Sequence, residues 1–145
     1  PLDMHNHLAI DELGPYMTET LDNKATLQGL LSTRSHFEEL FAQARASCSV
    51  SAHIGIIITK PPETVCVILP PANCPPATKK YILFDSHSRP QLGLSGSYLF
   101  VSDGLDEVVR RLDGLFPPLP MERGGAADYM QQMYNMFEGS VFQHK

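Results

Sequence analysis

The sequence predicts an α+β fold, and three observations carry that prediction. Residues 51–102 are rich in β-branched and apolar side chains, cut by Pro and Gly at strand-length intervals. Apolar residues at helical spacing flank this block on both sides. The links between the central runs are short, which favours antiparallel pairing over crossovers. The 145 residues suit a single domain, 1–145. A chain of this size buries roughly 70% of its unfolded surface, so it needs no disulfide or metal to hold a core.

The first 49 residues read as the helical part. Leu21, Leu27, Leu30 and Leu31 are loosely spaced for one face and predict a short helix near 24–32. Ser35 and Glu38 have capping-box spacing, in which the hydroxyl accepts an orphan N–H and the carboxylate reaches back. Phe37, Leu40, Phe41 and Ala44 follow on one face, so a helix is expected over 35–46. Residues 50–145 read as the sheet and the helices that follow it. The runs 51–60 and 64–70 are two adjacent strands joined by a tight turn at Pro61-Pro62-Glu63. Residues 70–80 carry four prolines and form a loop. Strands follow at 81–86 and 97–102, with turn formers Pro90, Gly93 and Gly96 between them. Ser102 or Asp103 can cap the next helix, whose stripe is Leu105, Val108, Val109, Leu112 and Phe116. Pro117-Pro118 stops it. After the flexible "MERGGAAD", the stretch "YMQQMYNMFEGSVF" (129–142) predicts a last amphipathic helix rich in Met and aromatics. Fold class is therefore an antiparallel sheet flanked by helices.

Composition excludes some functions. Lys and Arg number 11 against 16 Asp and Glu, a net charge of −5. That disfavours nucleic acid, which selects a basic face. No apolar run approaches the roughly 20 residues that span a bilayer, so no membrane is expected as a partner. No secretory signal opens the chain, and "PLDMHNHL" reads as the cut end of a longer or processed protein. Cys48, Cys66 and Cys74 are odd in number and lack C-x-x-C spacing, which suits a reducing, cytoplasmic compartment. His5 and His7 sit close together, but His36 and His53 are far from them in sequence, so no metal site is expected. "GLSG" is a turn and not a phosphate cradle, so no cofactor is expected either. Arg110 and Arg111 share a helix with Asp106, Glu107 and Asp113 and read as a solvated face.

The chemistry concentrates in "KKYILFDSHSRPQLGLSGSYLFV" (79–101). Asp85 and His87 are two apart where an apolar run ends, so strand geometry turns both to one side. A carboxylate beside an imidazole fixes its tautomer and stabilises its protonated form, as a general base requires. "YILFDSHSR", a Gly-containing turn, "SYLFV" and a helix ending "LFPPL" together resemble the C-terminal half of papain-like cysteine peptidases. The likeness is to herpesvirus tegument deubiquitinases and related ubiquitin-peptidase domains, and it covers residues 50–116. It implies a papain-like core in which Asp85 orients His87 and His87 acts as base of a Cys-His-Asp triad. The nucleophile departs from that pattern. A papain-like thiolate opens a helix about 130–150 residues before its His. Cys48 lies between a helix and a strand, Cys66 alternates within an apolar strand, and Cys74 is in the proline-rich loop. The expectation is a catalytically inactive ubiquitin-peptidase-like domain serving as a protein-interaction module in a multidomain protein. The alternative is an active cysteine deubiquitinase whose nucleophile segment lies upstream. Ubiquitin, a ubiquitin-like protein or a second copy are the expected partners. Tyr129, Met133, Tyr134, Met136 and Phe137 are the expected contact residues, since Met-rich faces make adaptable contacts.

Overall fold

The computed structural model describes residues 21–31, 36–118 and 133–144. At its centre, strands β2 (Ile54–Lys60) and β3 (Glu63–Leu69) form a hairpin with only Pro61 and Pro62 in the turn. Their apolar residues alternate cleanly. Ile54, Ile56 and Ile58 face the same side as Val65, Val67 and Leu69, and all six are buried. Strand β4 (Tyr81–Asp85) adds to β3, and β5 (Tyr98–Ser102) adds to β4, both antiparallel.

Two helices cover the buried face. Helix α1 (His36–Ser47) presents Phe37, Leu40, Phe41 and Ala44 to the sheet, the stripe its spacing predicts. Ser35, the proposed cap, lies outside the described residues. Helix α2 (Leu105–Leu115) buries Val108, Val109 and Leu112, with Phe116 just beyond. Its entry differs from the simple cap expected. Gly104 is the capping residue, and its N–H donates to Ser102 Oγ at 3.0 Å. Ser102 in turn donates to Glu107 Oε2 at 3.0 Å. Asp103 is drawn instead to Lys80.

Two expectations fail. The helix expected near 24–32 is strand β1 (Leu21–Leu30), so the first part of the chain is not wholly helical. The helix expected over 129–142 is, from Met136 to His144, strand β6. Tyr129 and Met130 lie outside the described residues. Strand β6 inserts between β1 and β2, antiparallel to both, so the six-stranded order is β1-β6-β2-β3-β4-β5. Two glycines explain the misreading. On β1, a Cβ at Gly29 would sit 2.3 Å from the Phe137 ring. On β6, a Cβ at Gly139 would sit 2.7 Å from Leu40 Cδ1 of α1. Each glycine occupies an inward position of its strand and makes room for a bulky neighbour. The two-residue apolar period therefore has a gap at the position that would have revealed it.

The register gives the sheet two ends and two faces. One end gathers Leu30, Met136, Lys60, Glu63, Asp85 and Tyr98. The opposite end carries the 70–80 loop and the α1–β2 link, tied together where Asn73 N–H donates to Val50 O at 3.2 Å. The face away from the helices is uncovered among the described residues and carries exposed Phe84, Leu99 and Val101. No described helix is long and apolar enough to cross a membrane.

Candidate functional site

Asp85 is the last residue of β4 and points inward, beneath the helix layer, with no exposed surface. An ionised carboxylate so placed must be fully hydrogen-bonded or it becomes prohibitively costly. Four donors meet it. Oδ1 accepts from the His87 backbone N–H at 3.0 Å and faces His87 Nδ1 at 2.8 Å. Oδ2 accepts from Arg89 Nε at 2.8 Å and from the Tyr98 hydroxyl at 3.0 Å. Burial, the strongest single influence, pushes the Asp85 pKa up. The bonds from Arg89, His87 and Tyr98 outweigh it and bring the pKa down to about 2.

An ionised carboxylate can only accept. Nδ1 of His87 must therefore carry the proton in the contact with Oδ1. In the neutral ring that leaves Nε2 unprotonated, with a lone pair available as a base. His87 itself lies two residues beyond the strand, and its side chain is one-third exposed. The pair thus combines a buried orienting group with an accessible imidazole.

Arg89 is the piece that sequence reasoning missed. It is buried, yet its guanidinium is shared between two carboxylates. Nε serves Asp85, while the two terminal nitrogens bind Glu63 as a fork, at 3.1 and 2.7 Å. The Glu63 bonds and those of Asp85 hold its pKa above the ordinary value against the effect of burial. Its backbone is pinned as well, exchanging two bonds with Leu94 across the turn. Burial and the bond to Asp85 together raise the pKa of Tyr98. The signal for Arg89 was its place four residues after Asp85. The signal for Glu63 existed only in the strand register, which sets Val65 opposite Asp85.

No thiol of the chain reaches this site. Cys66 pairs with Ile57 and Phe84 on the uncovered face, opposite to Asp85. Cys74 is in the loop at the far end and contacts Thr78 Oγ1 at 3.0 Å. Cys48 is at that far end too, beside Ser49, whose N–H donates to Gln143 Oε1 at 2.9 Å. Burial pushes the Cys48 thiol up, with Lys24 and Arg45 opposing it only in part. Burial alone does the same at Cys66. All three cysteines are unpaired.

The other candidates separate. Met133, Tyr134 and Met136 are exposed, and Lys60 Nζ lies 5.9 Å from the centre of the Tyr134 ring. Phe137 is not on their face. It is 4% exposed and packs on Phe37 with ring centres 5.2 Å apart, because strand alternation turns it inward; it is a core residue, not a contact residue. Tyr129, His5 and His7 lie outside the described residues. His36 packs against Phe37 and Phe137, and His53 is exposed at the far end. Among the described residues, no group of three or more His, Cys, Asp or Glu side chains gathers as metal ligands. No protein-family model and no curated protein matches the sequence.

Proposed function

We propose that this chain carries the histidine–aspartate half of a papain-like, ubiquitin-peptidase-like centre, and that by itself it is a catalytically silent protein-interaction module. The observation that carries this reading is the separation of base from thiol. His87 is held by Asp85 with Nε2 as the basic nitrogen, while every cysteine lies on another face or at the other end of the sheet. The exposed Met133, Tyr134 and Met136 support the interaction role. They sit at the same end of the sheet as Asp85, with Leu30 also exposed beside Met136. Apolar side chains grouped in this way serve as contact surface. Ubiquitin or a ubiquitin-like protein is the partner class the motif resemblance implies.

A second reading, an active cysteine deubiquitinase whose nucleophile comes from sequence outside this chain, is favoured by the completeness of the Asp85 network. A fully satisfied carboxylate and a correctly protonated imidazole are what a working base needs. One experiment addresses both. The purified chain is mixed with ubiquitin bearing a C-terminal electrophile. The expected result is reversible binding without a covalent adduct, lost when Tyr134→Asp is introduced. An adduct that disappears with Cys48→Ala would contradict the silent reading. Absence of binding to ubiquitin and its relatives would contradict the partner class. In a longer form of the protein, an adduct abolished by His87→Ala would favour the second reading.

A further inference from the structure

The two edges of the sheet are built differently, and the difference points to a binding site. Edge strand β1 is guarded. It carries Asp22 and Lys24, and its register slips between Asn23 and Ala25. Charges and bulges of this kind keep an edge from pairing with foreign strands. Edge strand β5 has neither. Its five residues, Tyr98 to Ser102, carry no charge and no proline and pair with β4 in unbroken register. Its outer edge has no partner strand among the described residues. Leu99 and Val101 stand exposed beside it.

Beside this edge, on the helix side, runs an open cleft of about 380 Å³ between β5 and α2. Leu92, Phe100 and Leu115 give it an apolar floor, and Arg110 and Arg111 stand on its helix wall. The Arg111 guanidinium lies 4.3 Å from the centre of the Phe100 ring, a cation–π contact, and no carboxylate among the described residues forms an ion pair with it. Among the described lining residues Glu107 is the acidic one, and it accepts from Ser102. A cationic, partly apolar cleft in a chain of net charge −5 is a local reversal of sign.

We infer that β5 and α2 form a docking groove for an extended peptide segment of a partner protein, apolar at alternate positions and acidic between them. The peptide adds a strand to the β5 edge, so its main chain completes the ladder. Alternate side chains of a strand point to opposite faces. The acidic set turns to the cleft side, where Arg110 and Arg111 stand. The apolar set lies on the opposite face, beside exposed Leu99 and Val101. Strand addition next to a helix-lined groove derives affinity from main-chain hydrogen bonds and specificity from alternate side chains. A second copy of the chain fits less well. Two β5 edges related by a two-fold axis would put both α2 helices on one face and bring their arginines together. The inference is independent of the Asp85–His87 reading.

The test uses isotope-labelled chain and two synthetic heptapeptides, one alternating Val with Glu and one alternating Val with Lys. The Glu peptide is expected to bind at least tenfold more tightly than the Lys peptide. It should shift amide signals of residues 98–102 and 110–115 and slow hydrogen exchange along β5. Arg110→Glu, an exposed change that leaves the core untouched, should lose most of that preference. The double change Arg110→Glu with Arg111→Glu should abolish it, with folding checked by circular dichroism. Equal affinity for the two peptides, no binding, or signal changes confined to other regions would overturn the inference. So would a concentration-dependent dimer that protects the β5 amides without peptide.

Discussion

The two ends of the sheet are held together in different ways. One end has a buried carboxylate, a guanidinium shared by two acids and a correctly held imidazole. The other has Cys48 and Cys74 and no such arrangement around them. At the first end four donors meet Asp85, and Arg89 bridges two carboxylates. At the second, the contacts are local and mostly exposed. An orienting network this complete is costly unless each member is satisfied. Asp85 is therefore as much a structural residue as a candidate for catalysis, and substitutions must be read with both roles in mind.

The sharpest way to break the contrast is at Arg89. Removing one partner from a buried ion pair leaves an uncompensated charge, which costs about 3 kcal/mol or more. Arg89→Ala is thus expected to lower unfolding free energy by that amount in urea titration. A loss under 1 kcal/mol would show that water or other donors replace it. Arg89→Lys should also be damaging, since an ammonium cannot reproduce the fork on Glu63.

Acid should act on the same end. The Asp85 pKa is depressed to about 2 from an ordinary 3.8. A depressed carboxylate contributes stability above its unfolded pKa and loses it as pH falls through the folded one. Between about pH 4 and pH 2 the chain should lose on the order of 2 kcal/mol from this residue. Asp85→Asn should be less stable near neutrality and show a flatter acid limb. Identical acid limbs in the two proteins would remove Asp85 as the cause.

His87 should matter less to the fold than its neighbours do. It is partly exposed and supplies one side-chain hydrogen bond, so His87→Ala is expected to cost about 1 kcal/mol. The backbone N–H donated to Asp85 survives that substitution. A loss as large as that of Arg89→Ala would recast the imbalance between orienting and reacting groups. Smaller still is the expected effect at the far end: Cys74→Ser should change stability by less than about 0.5 kcal/mol. Burial should also make Cys48 and Cys66 slower than free cysteine toward iodoacetamide at pH 8, because the thiolate is the reacting form. Rapid modification of Cys48 would reopen it as a nucleophile.

How much of this could be read from residue order follows from where the causes lie. The central strands announced themselves through Ile54, Ile56, Ile58 and Val65, Val67, Leu69, because alternation is local. The stripes of α1 and α2 were legible for the same reason. Strands β1 and β6 were not. Gly29 and Gly139 stand where an apolar side chain would complete the alternation, and what they accommodate comes from elsewhere: the ring of Phe137 and the side chain of Leu40. Met133, Tyr134 and Phe137 also happen to fall at helical spacing. At the site, Asp85 and His87 were visible as neighbours in sequence. Tyr98 and Glu63 enter only through strand pairing, and Arg89 only through a turn that folds it back beneath Asp85.

The central claim is that the Asp85 carboxylate fixes His87 with its proton on Nδ1 and its lone pair on Nε2. Long-range nitrogen–proton correlation spectra of the isotope-labelled chain, recorded at a pH where the ring is neutral, read that directly. The Nδ1–H tautomer is expected to dominate at His87 and to shift back toward Nε2–H in Asp85→Asn, while exposed His53 stays unchanged. A His87 ring that already favours Nε2–H in the unaltered protein, or that ignores the Asp85 substitution, would contradict the account.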